Sequence, residues 1–371
     1  GAILWFFGTG PVEGFAKTLV IGIFTSLFSA IFITRLIFAW RLDKKKDISV
    51  STPWTKGAFQ NLSIQFVNSR KKFYIISGIL ILIGVGSFIS KGLSYGIDFT
   101  GGRTYLVRFD QEVNTADVRK SLENSFVTSD GVNLSPEVKT FGNADQVKIT
   151  TSFMIDSDAA TADQEVETKL DEGLSQMGLE YEIMSSQKVG PTIADDIKSS
   201  SVWAILFSLV IIFLYIVFRF RKWQYGLGAI VAIFHDVLIV LSIFSIFYGI
   251  LPFSLEIDQA FIAAILTVVG YSINDTVVVF DRIREFLSLH KKEPMNETIN
   301  RALNSTLSRT INTSLSTIFV LLMIFIFGGE VIRGFAFALL VGVIVGTYSS
   351  LCVATPVVVD LAGRAEKKLK K

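Results

Sequence analysis

Asp275 is where the residue types of this 371-residue chain first point to chemistry. It stands beside Asn274 in the middle of LTVVGYSINDTVVVFDRIRE, residues 266–285, late in a long apolar run that begins near Ala260. A carboxylate at that depth of a membrane helix costs roughly 2.5–3.5 kcal/mol on insertion scales, so such a group is expected to face protein or water and to have a function. Its helical face holds Val268, Tyr271, Val278 and Arg282. Asp236 and His235 lie mid-span in the preceding apolar run. Arg309 opens the following one, whose early turns read SRTINTSLST, with Asn312, Thr313 and Ser316 on the Arg309 face. A side chain that can change charge, next to amides and hydroxyls that hold water, is what a proton or ion path needs. Arg309 is expected to neutralise Asp275 when the carboxylate is ionised and to be released when it is protonated, which couples protonation to helix movement. Plainer readings stay open. Asp275 is also compatible with a helix–helix hydrogen bond alone, Arg309 with an interface anchor, and Asp236 with His235 either with packing or with support of the relay.

The elements that must position these groups follow from composition. Half of the residues are hydrophobic and only 18% are charged, and the charges are segregated between apolar runs of 18 or more residues. That pattern predicts a polytopic α-helical membrane protein. The two histidines and the single Cys352 give no His/Cys metal cluster, no disulfide within the chain and no nucleophile arrangement. The expectation is a non-enzyme without a bound cofactor, with H⁺ as the coupling ion and Na⁺ as the alternative. The chain opens at Gly1 inside an apolar run, with no basic region and no visible signal peptide, and reads as the downstream part of a longer protein.

Taken in order, residues 1–40 read as the end of one helix, a Gly-rich turn containing Pro11, and a full span over 14–40. Residues 41–72 form a basic linker, which stays cytoplasmic by the positive-inside rule, and 73–90 span outward. Residues 91–198 carry 10 Lys and Arg against 19 Asp and Glu, an acidic balance that suits the opposite side. Their pattern predicts strands at 103–109, 137–141, 146–151 and 180–187, with helices at 115–126 and 160–177 and a turn at 142–145. The order βαββαβ indicates an inserted α+β, ferredoxin-like extracytoplasmic domain. Residues 199–361 hold five spans, at 199–218, 226–249, 260–280, 309–328 and 334–360, with an outer loop around Pro252, and 362–371 form a basic cytoplasmic tail. The basic loop lacks interleaved aromatics beyond Trp54 and Phe59, so no nucleic acid is expected as a partner; membrane lipid is.

One internal repeat stands out. GFAKTLVIGIFTSLFSAIFIT, from Gly14, aligns without a gap with GFAFALLVGVIVGTYSSLCVA, from Gly334. Both copies carry small residues at every fourth position, including Gly14 and Gly22 in the first and Gly334, Gly342 and Gly346 in the second. Such ridges let helix backbones approach closely in lipid, so all five glycines are expected in helix packing. Repeated membrane halves are a transporter habit, and only the end of the first half is expected here.

Several stretches resemble the bacterial SecD/SecF protein-export membrane proteins of the resistance-nodulation-division superfamily. They are GIDFTGG at 96–102, HDV at 235–237, GYSINDTVVVFDRIRE at 270–285 and SRTINTS at 308–314. Residues 1–40 resemble the last two helices of a SecD-like half, and the rest resembles a SecF-like half. The resemblance implies an RND-type six-helix half preceded by the end of another. It implies a proton-driven accessory subunit of the Sec translocase that assists preprotein export. The implied partners are the SecYEG channel, unfolded preprotein and YajC. Its proton-relay aspartate falls on Asp275 and its arginine on Arg309. The alternatives are an efflux pump or lipid exporter of the same superfamily, and a non-transporting scaffold for the translocon.

Overall fold

The computed structural model describes residues 5, 11–46, 48, 63–127, 133–157, 161–251 and 253–369. Residues 2–4, 6 and 7 of the expected helix end, 8–10 of the turn, 47 and 49–62 of the basic linker, and Pro252 therefore lie outside the described residues. Among the described residues seven helical stretches are long and apolar enough to cross a membrane. At a rise of 1.5 Å per residue each covers a hydrocarbon layer about 30 Å thick.

The first span is α1 (Pro11–Phe28), a π-helical turn (Ser29–Ile33) and α2 (Thr34–Asp43). Next come α3 (Arg70–Lys91) and the one-turn α4 (Ile97–Thr100). The outer domain follows as β1 (Gly102–Phe109), α5 (Thr115–Ser125), β2 (Glu137–Phe141), β3 (Asn143–Thr151), α6 (Ala162–Ser175) and β4 (Tyr181–Val189). The bundle is completed by α7 (Pro191–Phe220), α8 (Trp223–Phe247), α9 (Gln259–Leu289), α10 (Met295–Phe327) and α11 (Glu330–Ser349). A second π turn (Ser350–Ala354) then leads into α12 (Thr355–Leu369).

The outer domain has the βαββαβ order, in an antiparallel sheet arranged β2-β3-β1-β4. Alternation puts Tyr105, Val107 and Phe109 of β1 and Val147 and Ile149 of β3 on one face. Val118 and Leu122 of α5 and Val166, Leu170 and Leu174 of α6 cover that face, and all are essentially fully buried. The β2–β3 turn is tighter than the expected 142–145. Gly142 takes a left-handed φ of 79°, so the chain reverses at once and Phe141 pairs with Asn143. The GG pair of GIDFTGG has a similar cause: Gly101 and Gly102 have φ of 70° and 143°. A Cβ on Gly102 would sit 3.1 Å from both Ile97 Cγ2 and Thr151 O.

In the bundle, α3 packs on α8, α9 on α10 and α11, and α7 on α8. The helices overrun the apolar runs. Pro191 starts α7 eight residues before the expected span, and α9 continues to Leu289. The polar turns at 191–198 and 281–289 are helical but lie beyond the apolar windows, so hydropathy alone does not register them.

The two copies of the internal repeat share a distortion. The π turn at Ser29–Ile33 matches the one at Ser350–Ala354, one residue out of phase with the ungapped alignment. In each, a threonine hydroxyl bonds the carbonyl five residues back: Thr34 to Ser29 at 3.0 Å and Thr355 to Ser350 at 3.2 Å. The ladders differ in what they meet. A Cβ on Gly342 would lie 2.1 Å from Val268 Cγ2, one on Gly346 3.0 Å from Ser272 Cβ, and one on Gly334 2.6 Å from Ser254 O. These three glycines close α11 onto α9 and the outer loop. At Gly14 and Gly22 an added Cβ would meet nothing within 4 Å, so the expected packing role does not hold for them among the described residues. The first copy touches α9 chiefly through Ala16 against Ala263.

Candidate functional site

Asp275 lies on α9 with only 4% of its surface exposed. Its side-chain partner is Ser314 of α10, whose hydroxyl donates to Asp275 Oδ2 across a long 3.5 Å. Ser314 Oγ is in turn 2.6 Å from Thr347 Oγ1 of α11. One turn away on the same faces stand Tyr271 and Thr310, whose buried hydroxyls have no hydrogen-bond partner among the described residues. Buried polar atoms of this kind ordinarily mark places that ordered water completes.

Arg309 does not form a salt bridge with Asp275. It is exposed and lies on the wall of an inner cleft with Val278 and Arg282, although its charge reaches Asp275 through space. The expected support from Asn274, Asn312 and Thr313 is also absent. Asn274 and Asn312 are exposed, and the Thr313 hydroxyl donates to Arg309 O within its own helix. The buried polar face of α10 is Thr306, Thr310 and Ser314, spaced by four, and it is rotated away from the Asn312 face. That spacing of hydroxyls was the available signal.

Asp236 and His235 form a second buried cluster. Asp236 Oδ2 accepts from Ser272 Oγ at 2.7 Å and Ser349 Oγ at 2.8 Å, and Oδ1 is 3.0 Å from His235 Nδ1. His235 Nε2 is 3.0 Å from Ser77 Oγ, which is 3.1 Å from the Tyr348 hydroxyl. Ser272 stands one turn before Asp275 on α9. Thr276, just after Asp275, is 2.9 Å from Ser350 Oγ. Four successive residues, Thr347, Tyr348, Ser349 and Ser350, therefore reach α10, α3, α8 and α9 in turn, because consecutive helical positions point about 100° apart. This TYSS hub, whose last residue opens the second π turn, was not singled out from sequence. Four polar residues in a row within an apolar span were its signal. π turns recur at functional sites.

α9 connects this interior to the outer domain. Asp258 caps its N-terminus, accepting from Phe261 N at 2.7 Å, and Asp98 of the GIDFTGG segment accepts from Gln259 N at 3.0 Å. Glu256, in the loop just before, is bridged by Lys148 of β3 at 2.5 Å and Lys139 of β2 at 3.3 Å. Burial alone would push the Glu256 carboxyl up, but Lys148 and Lys139 hold it below its ordinary value. At Asp258 the balance is reversed: burial first, and then the nearby Asp98 charge, outweigh the bond from Phe261 N and the Lys148 charge and push it up to about 6.

The Asp258 shift has a testable sign. A raised carboxyl means that the native state binds more protons than the unfolded chain between about pH 4 and 6. Stability should therefore fall as pH rises through that window and level off above it. Asp258→Asn, which can still accept from Phe261 N, should flatten this part of a melting-temperature profile of the purified chain in detergent. An unchanged slope contradicts the assignment.

The comparisons with known proteins bear on the whole assembly. Residues 169–364 match the family model described as protein export membrane protein SecD/SecF, C-terminal, and residues 86–113 match the SecD/SecF GG motif. The chain is 47% identical over 310 residues to protein translocase subunit SecF of Rhodothermus marinus, covering 83% of this chain and 96% of that one. It is 35% identical over 371 residues to protein translocase subunit SecDF of Thermus thermophilus, covering 98% of this chain but 46% of that protein. The crystal structure of the Thermus SecDF superposes with a TM-score of 0.82 at 33% identity, over 98% of this chain and 46% of that one. A SecDF structure in a super-membrane-facing form superposes with 0.69 at the same identity.

Proposed function

This chain belongs to the SecD/SecF family of protein-export membrane proteins, and from that premise we propose how it serves the Sec translocase as an accessory subunit of the bacterial inner membrane. Protons reach Asp275 from the outer side, leave it through the inner cleft, and in doing so switch its relation to Arg309. The observation that carries this reading is the placement of Asp275: buried, held by a single long hydrogen bond, and one turn from Val278 on the cleft wall. A carboxylate with so few fixed partners can change charge without first breaking a network. The contrast is Asp236, whose oxygens are bonded by two serines and a histidine. We assign Asp236 and His235 the task of fixing α8 against α9 and α11.

Each proton that crosses releases about 2.3 kcal/mol per 100 mV of membrane potential, before any pH difference. A few protons thus suffice to shift a two-state equilibrium of ordinary size. The movement reaches the outer domain along α9, whose first turn is tied to Asp98 and whose preceding loop is tied through Glu256 to β2 and β3. The outer domain then acts on unfolded preprotein leaving SecYEG, with a SecD-type half, and YajC where present, completing the assembly.

The test is preprotein import into inverted membrane vesicles that contain SecYEG and a SecD-type half, with and without this chain. The expected result is that the chain adds import only while a proton gradient is maintained. An equal gain after the gradient is collapsed would leave a scaffold as the function. Coupling through the outer loop makes its own prediction. Glu256→Lys should cut the gradient-dependent gain by more than half, and Glu256→Lys with Lys148→Glu should recover most of it. Failure of the exchanged pair to recover would place the coupling elsewhere.

A further inference from the structure

At the inner ends of α7, α9 and α10 lies an open cleft of about 820 Å³, within the range of small-molecule sites. Four arginines line it, Arg219, Arg282, Arg284 and Arg309, against two carboxylates, Asp281 and Glu285. The pairing is uneven. Asp281 is shared by Arg219 at 2.9 Å and Arg284 at 3.0 Å, Glu285 takes Arg282 at 2.8 Å, and Arg309 pairs with no carboxylate among the described residues. Two positive charges are left over. The guanidiniums are also held in place: those of Arg219 and Arg284 lie 5.6 and 5.5 Å from the Phe220 ring, and that of Arg282 lies 4.6 Å from Phe286. Fixed, half-neutralised guanidiniums match the geometry of phosphate oxygens.

The surroundings say which phosphate. The cleft is at the cytoplasmic end of the spans, the side the basic loops define. The last turns of α7 beside Arg219 present Phe218, 87% exposed, with Leu214, Tyr215 and Ile211 each half or more exposed. Such a surface takes acyl chains while the arginines take the headgroup. We propose that this cleft binds the phosphate headgroup of an anionic membrane lipid. Basic pockets between membrane helices on the cytoplasmic side have this chemistry, with each arginine contributing about fivefold in affinity. The inference does not depend on the proton reading of Asp275.

The test is native mass spectrometry of the purified chain in detergent, titrated with phosphatidylglycerol or with phosphatidylcholine. Phosphatidylglycerol should be retained preferentially, and millimolar inorganic phosphate should not displace it. Arg219→Ala with Arg284→Ala should lower its retention by roughly 25-fold. Asp281→Asn, which frees both arginines, should raise it, an effect that loss of structure does not produce. Equal retention of the two lipids, displacement by inorganic phosphate alone, or no gain in Asp281→Asn would overturn the proposal.

Discussion

Asp275→Asn is expected to reduce gradient-dependent preprotein export to the level seen without a gradient, while the chain remains in the membrane at normal abundance. Asparagine keeps the size of the side chain and an oxygen that can accept from Ser314. What it loses is the ability to take up and release a proton. The substitution therefore separates the relay from a helix–helix hydrogen bond. If a hydrogen bond were the whole role, the amide would serve and export would be near normal. Import into energised inverted vesicles, with immunoblots of the chain in the same membranes, reads both quantities. Asp236→Asn makes the comparison sharper. It also removes a carboxyl from the interior, but one already bonded by Ser272 and Ser349, so its effect should fall on stability and abundance before it falls on coupling.

The second large effect is expected at Gly342. A methyl group there would overlap the Val268 side chain, with Cγ2 at 2.1 Å and Cβ at 2.9 Å. Valine is branched at Cβ and has little room to turn away, so α11 must move off α9. Overpacking of this kind costs about 1–3 kcal/mol, and here it also disturbs Gly346 against Ser272 and the hub just beyond. Gly342→Ala should lower the melting temperature and abolish most gradient-dependent export. Val268→Ala returns the missing volume, so the double variant should recover much of both. If the double variant is as impaired as the single one, close approach of α9 and α11 is not what this glycine provides. Gly22→Ala, by contrast, should be silent in the isolated chain.

How much of this was readable beforehand depends on what each residue answers to. The spans were legible because hydrocarbon demands long apolar helices whatever their neighbours. The βαββαβ domain was legible because alternation and helical spacing switch clearly along 102–189. Asp275 was legible because charge in lipid is costly. The companions of Asp275 were not. Asn312, Thr313 and Ser314 are adjacent in sequence but point about 100° apart, and only the packing of α10 against α9 and α11 decides which one faces inward. The hydroxyls Thr306, Thr310 and Ser314 do, and Asn312 does not. The TYSS hub shows the same difficulty in another form, since its meaning lies in four different neighbours. The small-residue ladder was legible as a ridge, yet a ridge does not name its partner. The second copy meets Val268 and Ser272, while Gly14 and Gly22 of the first meet none of the described residues. The tie between Asp98 and Gln259 joins positions 161 apart in sequence, and no local pattern encodes it.

The measurement that bears most directly on the central claim is an infrared difference spectrum of the reconstituted protein as pH is stepped, with Asp275→Asn as the subtraction. A carboxylic acid band that belongs to Asp275 should convert to carboxylate within the accessible pH range, and its midpoint should move when Arg309 is replaced by Gln. A spectrum in which Asp275 never changes its protonation, or does so with no regard to Arg309, would contradict the account.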